Sequence, residues 1–483
     1  MKRRIPTVVV AAFYYIFWVV FFSACSQRQA KDKVDALPSI FLDYVGVTVP
    51  HNIAPLNFGM TGTRCLQVTL RNAKGQCMEV SGSNSIDMDV DDWHRLIADG
   101  GDIEVTVSAW TVEHPDGLTY RSFPVHVTTD EPDPWIAYRL LPPGYEGWNR
   151  MGIYERNLST WEEKTLMENS QANKGCINCH AFANYNPQNF MMHVRGEGGG
   201  TVIYHKGKLE KVDIKSMEPY KHGSYNMWHP SGRYIAFTSN ATHQSFYAQS
   251  RDKIEVYDLW SDLIIYDVEQ HRVISDSRFL TEDQHEIFPA FSPDGKWLYF
   301  STALPVDMPK EYQKMHYSIV RVPFNENDAS LGEVDTLYSA YERGGTALMP
   351  RISPDGRYML YTVAECGAFN LYHVESDFQM MDLETRQLVD TAPLNSNQME
   401  SYHVWSSNGR WLLFSSKRID GRFTRLFLAH WDGMRWSKPF LLPQRNPEQN
   451  TLLLMAYNIP EFISAPLSIP RDELNRLFIV KKP

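Results

Sequence analysis

A short segment that recurs four times in the second half of the chain restricts the fold more than any other feature. In each copy a polar turn ends in a glycine, which a Lys or Arg and then an aromatic residue follow. The aligned glycines stand 53 to 63 residues apart and are Gly232, Gly295, Gly356 and Gly409. The Pro-Asp-Gly sequence of two copies is typical of turns between strands. A repeated strand–turn–strand unit of this period indicates a β-propeller, because one blade cannot bury both of its faces alone.

Two weaker segments extend the four copies. Residues 190–214 have the pattern of a degenerate first blade, and residues 452–457 with the tail after them could form the last one. The sequence therefore predicts a propeller over residues 190–483, with six blades as the best count and five or seven still open. The Ser-Pro-Asp-Gly-Lys/Arg form resembles the TolB-type propeller repeat from about Met191 to the C-terminus. This resemblance implies a fold and says hardly anything about function.

Residues 39–157 have a different β pattern. Hydrophobic residues alternate over 65–70 and 103–112, and after a His-Pro-Asp-Gly turn they alternate again over 118–127. This predicts an N-terminal antiparallel, sandwich-like β domain, so that the chain as a whole is all-β. A hairpin turn at 72–75 would place Cys77 opposite Leu70, which makes a Cys65–Cys77 disulfide doubtful.

The next segment, 158–189, carries a helix signal and the motif with the clearest chemistry. Ser159 and Glu162 form a capping-box pattern, which predicts a short helix ending near Asn169. Then comes Cys176-Ile177-Asn178-Cys179-His180, a CxxCH sequence that is a signature of c-type haem attachment. We predict one covalent haem c, with Cys176 and Cys179 bonded to its vinyl groups and His180 bound to the iron. Structural zinc, a thioredoxin-like redox pair and a plain disulfide stay open as alternatives.

Candidates for the second iron ligand follow on a predicted strand. Alternation places Met191, His193 and Arg195 on one face, and Met192 on the other. His193 is the favoured metal ligand, and Arg195 would contact a haem propionate. Met191 or Met192 are the alternatives, and methionine ligation would raise the potential. A distant ligand, an open position, or methionines that only pack in the core also stay open.

The repeat alignment suggests a second group of functional residues. His222 and His285 lie ten residues before the aligned glycines, Glu286 and Glu400 lie nine before, and His403 lies six before. Equivalent positions in neighbouring blades face the same ring, so these side chains could converge on one mouth of the central channel. His222, His285 and Glu286 are thus the candidate catalytic residues. Polar loop residues at a solvated rim are the plainer interpretation.

The N-terminus has the pattern of an export signal. Lys2-Arg3-Arg4 precede an apolar run over 5–22, and Phe22-Ser23-Ala24-Cys25 follows. This resembles the lipobox of bacterial lipoproteins, which implies removal of residues 1–24, lipid on Cys25 and a polar tether over 25–38. The expected place is the outer membrane, with the lipid as anchor and the body facing the periplasm; an uncleaved membrane span is the alternative. The net charge of −10 and the absence of a basic stripe argue against a nucleic-acid partner.

Three functions follow from these features. The first is electron transfer by a lipid-anchored haem protein, with the propeller as housing and docking surface for an unknown redox or protein partner. The second is a haem-dependent oxidoreductase with an open iron position, and the third is a non-redox module that binds a glycan or peptide. The combination of propeller and c-type haem is similar, remotely, to the α subunit of hydrazine synthase, and no activity is carried over from it.

Overall fold

The structure is a computed structural model that describes residues 29–147, 149–217 and 223–479. The described chain forms two compact units, one of residues 29–129 and 443–450, the other of residues 130–442 and 451–479. The export signal and Cys25 lie outside the described residues, as does His222. Within the described part of the chain, no helix is both long and apolar enough to cross a membrane.

The smaller unit is built on one sheet, which has seven strands among the described residues. They are β1 (Asp32–Lys33), β2 (Thr48–Pro50), β3 (Thr63–Asn72), β4 (Cys77–Gly82), β5 (Gly101–Thr111), β6 (Leu118–Thr119) and β7 (Phe123–Thr128). The order is β1-β6-β5-β3-β4, and β7 pairs with both β5 and β2. β1 and β6 are parallel, as are β2 and β7. The unit is therefore a mixed sheet, not a purely antiparallel sandwich, and its first strand lies in the predicted tether.

Helix α1 (Val90–Ile97) supplies part of the core of this unit. The Asp89 side chain accepts hydrogen bonds from the backbone N–H groups of Asp91 and Asp92, which caps the helix. Trp93, Leu96 and Ile97 are buried on one face of the helix.

The predicted hairpin forms between β3 and β4. It pairs Cys77 with Arg71, one residue from the expected partner, and Cys77 is an exposed free thiol. The doubtful Cys65–Cys77 disulfide is therefore absent.

The larger unit contains six four-stranded antiparallel sheets among its described residues. Blades 1 and 2 are β11 (Cys176–Ala183), β12 (Asn186–Arg195), β13 (Gly200–His205), β14 (Lys208–Val212), and β15 (Ser224–Trp228), β16 (Tyr234–Phe246), β17 (Ile254–Asp267), β18 (Arg272–Ile274). Blades 3 and 4 are β19 (His285–Phe291), β20 (Trp297–Ala303), β21 (Ser318–Pro323), β22 (Asp335–Tyr338), and β23 (Thr346–Ile352), β24 (Tyr358–Ala364), β25 (Asp377–Asp382), β26 (Leu388–Val389). Blade 5 is β27 (Glu400–Trp405), β28 (Trp411–Ser416), β29 (Arg425–His430), β30 (Phe440–Leu441). Blade 6 is β31 (Ala456–Ile463) with β8 (Trp135–Leu141), β9 (Gly152–Asn157) and β10 (Glu163–Glu168). Short helices α2 (Ala340–Arg343) and α3 (Gln449–Leu452) lie in connections between strands, and α4 (Arg471–Arg476) follows the last strand.

The inner strands of these sheets close a ring. β11, β15, β19, β23, β27 and β31 each contact the next strand in this series, and β31 contacts β11 again. The unit is a six-bladed β-propeller, which confirms the predicted fold class and the favoured blade count.

Two distant parts of the chain share blade 6. β31 pairs with β8, so that Tyr457 lies opposite Leu140, and β9 and β10 complete the sheet. Residues 130–157, which the sequence assigned to the N-terminal domain, therefore belong to the propeller. The first blade likewise begins at Cys176 and not at 190, because the CxxCH segment is its inner strand.

The predicted helix after Ser159 is wrong. The Asn157 side chain accepts hydrogen bonds from the N–H groups of Ser159 and Thr160, which favours a turn there. β10 then pairs with β9. A capping box does form nine residues later, between Glu168 and Gln171, around a single 3-10 turn.

The repeated glycines have a conformational reason. Gly232, Gly295, Gly356 and Gly409 have φ angles between 67° and 76°, which side chains disfavour. In blade 3 the preceding Asp294 accepts hydrogen bonds from the Ser292 hydroxyl and the Lys296 N–H, which closes the turn.

Candidate functional site

Each inner strand of the propeller is interrupted at the same place. One non-glycine residue per strand has a φ angle between 41° and 56°, and the pairing with the neighbouring strand shifts there. These residues are Cys179, Tyr225, Phe288, Met349, Tyr402 and Ile459. Such β-bulges change the direction of the side chains around them. All six residues line one central cavity.

The cavity has a volume of about 470 Å³, within the usual range of small-molecule sites. Besides the bulges, three segments line it: the connection after β8 in blade 6, the β16–β17 hairpin of blade 2 and the loop after β24 in blade 4. Their contributions include Pro142 and Gly144, His243 and Gln244, and Phe369 and Tyr372.

The whole CxxCH donor set opens onto this cavity. Cys176, Cys179 and His180 are 7%, 5% and 1% exposed, all three line the cavity, and both thiols are free. In a regular strand, residues three apart point to opposite faces. The bulge at Cys179 breaks this alternation, which explains how both cysteines reach the same cavity.

His180 is buried without the hydrogen bonds that a buried imidazole normally has. Neither ring nitrogen has a partner of ordinary geometry. Burial, and secondarily Arg139, lower the pKa of His180 to about 3, although the nearby Ala137 carbonyl opposes this. The imidazole is therefore neutral and able to act as a metal ligand.

Cationic side chains surround the motif. Arg139, Arg195 and Arg351 line the cavity. Arg139 donates to the Asn178 side chain, and Arg195 donates to Ser224 Oγ at 2.9 Å. Burial raises the pKa of the Cys176 thiol, while Arg139 and Arg195 oppose the rise.

One acid faces the same space. Glu461 lines the cavity, and burial raises its pKa to about 7, with Arg351 opposing the shift. This carboxyl group can take up or release a proton near neutral pH.

Aromatic rings form another part of the lining. The ring centroids of Tyr225 and Phe288 are 4.5 Å apart, and Phe369 lies 6.1 Å from Tyr225 and 6.3 Å from Tyr402. The cavity thus combines flat apolar surfaces with guanidinium groups.

The predicted second iron ligands do not line the cavity. Met192 packs with Val194 in one hydrophobic cluster and Met191 packs in another, so the predicted alternation holds. His193 is buried, with Nδ1 3.0 Å from Thr201 Oγ1. Of this group, only Arg195 reaches the cavity.

The described candidates from the repeat alignment are not brought together either. His285 Nδ1 lies 3.2 Å from Ser261 Oγ, and Glu400 pairs with Arg418 at 2.9 Å. Both oxygens of Glu286 are buried without partners, and burial, with Asp262 second, raises its pKa to about 8. His403 alone among the described members of this group lines the cavity. His285, Glu286 and Glu400 lie two or three residues before the bulge residues of their strands, outside the lining of the cavity.

Sequence reasoning missed most of the cavity-lining residues. Arg139 lies on β8, Arg351 on β23 and Glu461 on β31, and no local sequence motif marks these residues. A signal was available in the repeat itself, because each bulge residue of blades 2 to 5 precedes the aligned glycine by seven residues.

No protein-family model and no curated protein matches the chain. Solved structures do. TolB from Acinetobacter baumannii is 15% identical over 77% of this chain and 85% of its own, with a TM-score of 0.43. The propeller domain of the Trilobed protease from Pyrococcus furiosus is 10% identical over 70% and 81%, with a TM-score of 0.33. Oligogalacturonate lyase from Vibrio parahaemolyticus is 14% identical over 60% and 70%, with a TM-score of 0.34. At these values the likenesses carry no argument, and the fold rests on the six sheets.

Proposed function

We propose that the chain is an exported, lipid-anchored haem protein whose haem is attached covalently inside the propeller cavity. Cys176 and Cys179 would hold the macrocycle, and His180 would be an iron ligand. One observation carries the proposal: both free thiols and the unpartnered imidazole of a single CxxCH motif open onto the same buried cavity.

The spacing of the donor atoms favours haem over zinc. A tetrahedral zinc site gathers its ligand atoms closely around one ion. Among the described residues, the one group of three candidate ligands with donor atoms within 4.8 Å of one another is elsewhere, at Asp252, His373 and Glu375. The donor atoms of Cys176, Cys179 and His180 share the cavity but do not form such a group. This arrangement suits a wide, flat cofactor, to whose edge the thiols would bond and whose central metal the imidazole would bind.

The rest of the lining fits the same group. Haem carries two propionates, and Arg139, Arg195 and Arg351 offer guanidinium groups that pair well with carboxylates. The aromatic rings of Tyr225, Phe288 and Phe369 offer apolar faces to the macrocycle.

The iron-ligand candidates that lie close to the motif in sequence, Met191, Met192 and His193, are outside the cavity. His243, His403 and Met349 line it, and the proposal is that none of them binds the iron. We therefore favour the haem-dependent oxidoreductase over the electron carrier. When bound, haem supplies the redox chemistry, while Glu461 holds or releases a proton beside a small substrate and the loops exclude water.

The export route rests on the lipobox-like sequence before Cys25. It would place the body outside the cytoplasm, where c-type haem is attached, with the outer membrane as the site of the anchor. The location and the cofactor of the proposal are therefore mutually consistent.

A spectrum tests the haem proposal. The full chain, made in a host that matures c-type haem, should give a reduced-minus-oxidised difference spectrum of haem c and should bind carbon monoxide. The Glu461→Gln variant should keep the difference spectrum. It should lose the protonation step near pH 7 that the Glu461 carboxyl group provides. A wild-type protein without haem absorbance would leave only the non-redox binding module.

A further inference from the structure

Two of the connections that enclose the cavity meet at a second polar site. One is the hairpin between β16 and β17 of blade 2, and the other is residues 365–376 between β24 and β25 of blade 4. Gln244 and Val256 of the hairpin line the cavity, and so do Phe369 and Tyr372 of the other loop. A ligand that joins the two connections would therefore fix part of the cavity wall.

Three side chains at this meeting point present metal-binding atoms to one another. Asp252 belongs to the hairpin, while His373 and Glu375 belong to the blade 4 loop. Their ligand atoms all lie within 4.8 Å of one another, and His373 Nδ1 is 3.2 Å from Glu375 Oε1. Two donors on a tetrahedral zinc ion are about 3.3 Å apart, given bonds of about 2.0–2.1 Å.

Glu255 orients the imidazole for this task. Its Oε2 lies 2.8 Å from His373 Nε2, on the far side of the ring from Glu375. A carboxylate on the second nitrogen of a histidine is the usual support of a metal-binding imidazole, because it fixes the tautomer and raises the basicity. His373 and Glu255 are only 3% and 2% exposed, and Glu255 Oε1 is buried without any hydrogen-bond partner.

The charge around the site exceeds what the protein's cations balance. The Arg251 guanidinium is shared by three carboxylates, at 3.1 Å from Asp252, 2.5 Å from Glu375 and 3.5 Å from Glu365. With Glu255 there are four carboxylates, and the nearby cationic groups are Arg251, His373 and Lys417, which interacts electrostatically with Asp252. The Arg251 side chain is 48% exposed, so it can turn into solvent and leave its place to another cation.

We propose that Asp252, His373 and Glu375 bind a divalent transition-metal ion of the zinc or manganese type, which joins the two connections. A mixed set of one imidazole and two carboxylates suits such ions, whereas calcium and magnesium prefer oxygen donors alone. The ion would bind His373 through Nδ1, displace Arg251 and leave coordination positions for water. The site is separate from the CxxCH motif, so this proposal stands whether or not haem is bound.

The test is a titration of the full, untagged chain with Zn²⁺ and with Mn²⁺, followed by calorimetry and by the thermal unfolding midpoint. We expect saturable binding of one ion and a higher Tm. Asp252→Asn and Glu375→Gln should each weaken binding at least tenfold, and Glu255→Gln should weaken it by roughly 10 to 100-fold. Glu365→Gln is the matched control, because Glu365 touches Arg251 but contributes no ligand atom, and it should leave the affinity within about threefold.

Arg251→Ala separates a metal site from a plain ion-pair network. If the ion replaces the guanidinium, removal of Arg251 should tighten binding several-fold, and Cys176→Ala with Cys179→Ala should leave the affinity unchanged. Failure to bind either ion, or an affinity that Asp252→Asn and Glu375→Gln do not change, would overturn the proposal. Loss of binding in Arg251→Ala would also overturn it.

Discussion

His180 and His403 occupy the same position in the inner strands of blades 1 and 5, directly after the residue of left-handed conformation. His403 Nε2 lies 2.9 Å from the carbonyl oxygen of Leu360, on β24 of the neighbouring blade. His180 has Ala137 of β8 as the corresponding neighbour, yet neither of its ring nitrogens has a hydrogen-bond partner of ordinary geometry. A hydrogen bond between blades therefore explains why the His403 imidazole is buried, whereas no bond of ordinary geometry explains the burial of His180.

This difference predicts opposite costs of substitution in the haem-free protein. In a Cys176→Ala, Cys179→Ala background, His403→Leu should lower the free energy of unfolding by about 1–3 kcal/mol, because the Leu360 carbonyl loses its partner. His180→Leu should leave it unchanged or raise it, since an unpaired buried imidazole is replaced by an apolar group. Urea unfolding measures both; an equal loss in the two variants would show that His180 has a structural role.

Glu286 should impose a pH dependence on stability. Burial raises its pKa from the ordinary value of 4.5 to about 8, so between these pH values the folded state keeps a proton that the unfolded state releases. The resulting stability is present below about pH 4.5 and is lost as the pH rises towards 8, by at most roughly 1.4 kcal/mol per unit of pKa difference. Glu286→Gln should flatten this part of the curve, while the exposed Glu333→Gln should not. An unchanged slope in Glu286→Gln would mean that the buried carboxyl is ionised.

The proposal of a haem with an open iron position gives a spectroscopic prediction. Met191, Met192 and His193 lie outside the cavity, and the proposal assigns no iron ligand to His243, His403 or Met349 of the lining, so the ferric protein should be high-spin and should bind carbon monoxide when reduced. His193→Ala, Met191→Leu and Met192→Leu should change neither property. A low-spin wild type that becomes high-spin only in His193→Ala would restore the bis-histidine electron carrier.

The anchor can be tested by fractionation. Cys25→Ser should move the protein from the membrane fraction to the soluble fraction, because two or more acyl chains are needed for stable anchoring. The haem spectrum of the released protein should match the wild type. A protein that stays fully in the membrane fraction would have another attachment.

The repeats made the propeller predictable, because each Gly turn between the first two strands of blades 2 to 5 has the same conformation. Blade 6 lacks this signal. Its outer strands β8 to β10 precede the first repeat and pair with β31 from the other end of the chain, a contact that no local pattern encodes. The capping box at Ser159 failed for a similar reason, since Asn157 and pairing with β9 outweigh the local helix preference.

The candidate site was predictable only in part. The CxxCH motif can be recognised in a sequence whatever secondary structure it adopts, and its residues do line the cavity. The second ligand was inferred from sequence proximity, but His193 lies on β12, which is one strand away from the channel. The assumption of regular strand alternation also gave no sign of the bulges, which direct Cys179, Tyr402 and the equivalent residues of the other blades towards the cavity.

The mass of the denatured polypeptide tests the central claim most directly. The processed polypeptide from a haem-c-maturing host should be heavier by one haem than the same polypeptide of the Cys176→Ala, Cys179→Ala variant, and the haem should stay attached under denaturing conditions. The single variants Cys176→Ala and Cys179→Ala should lose covalent attachment in part, and the double variant should lose it completely while it still folds. A wild-type polypeptide that carries no covalent haem, from a host that matures a control cytochrome normally, would contradict the account.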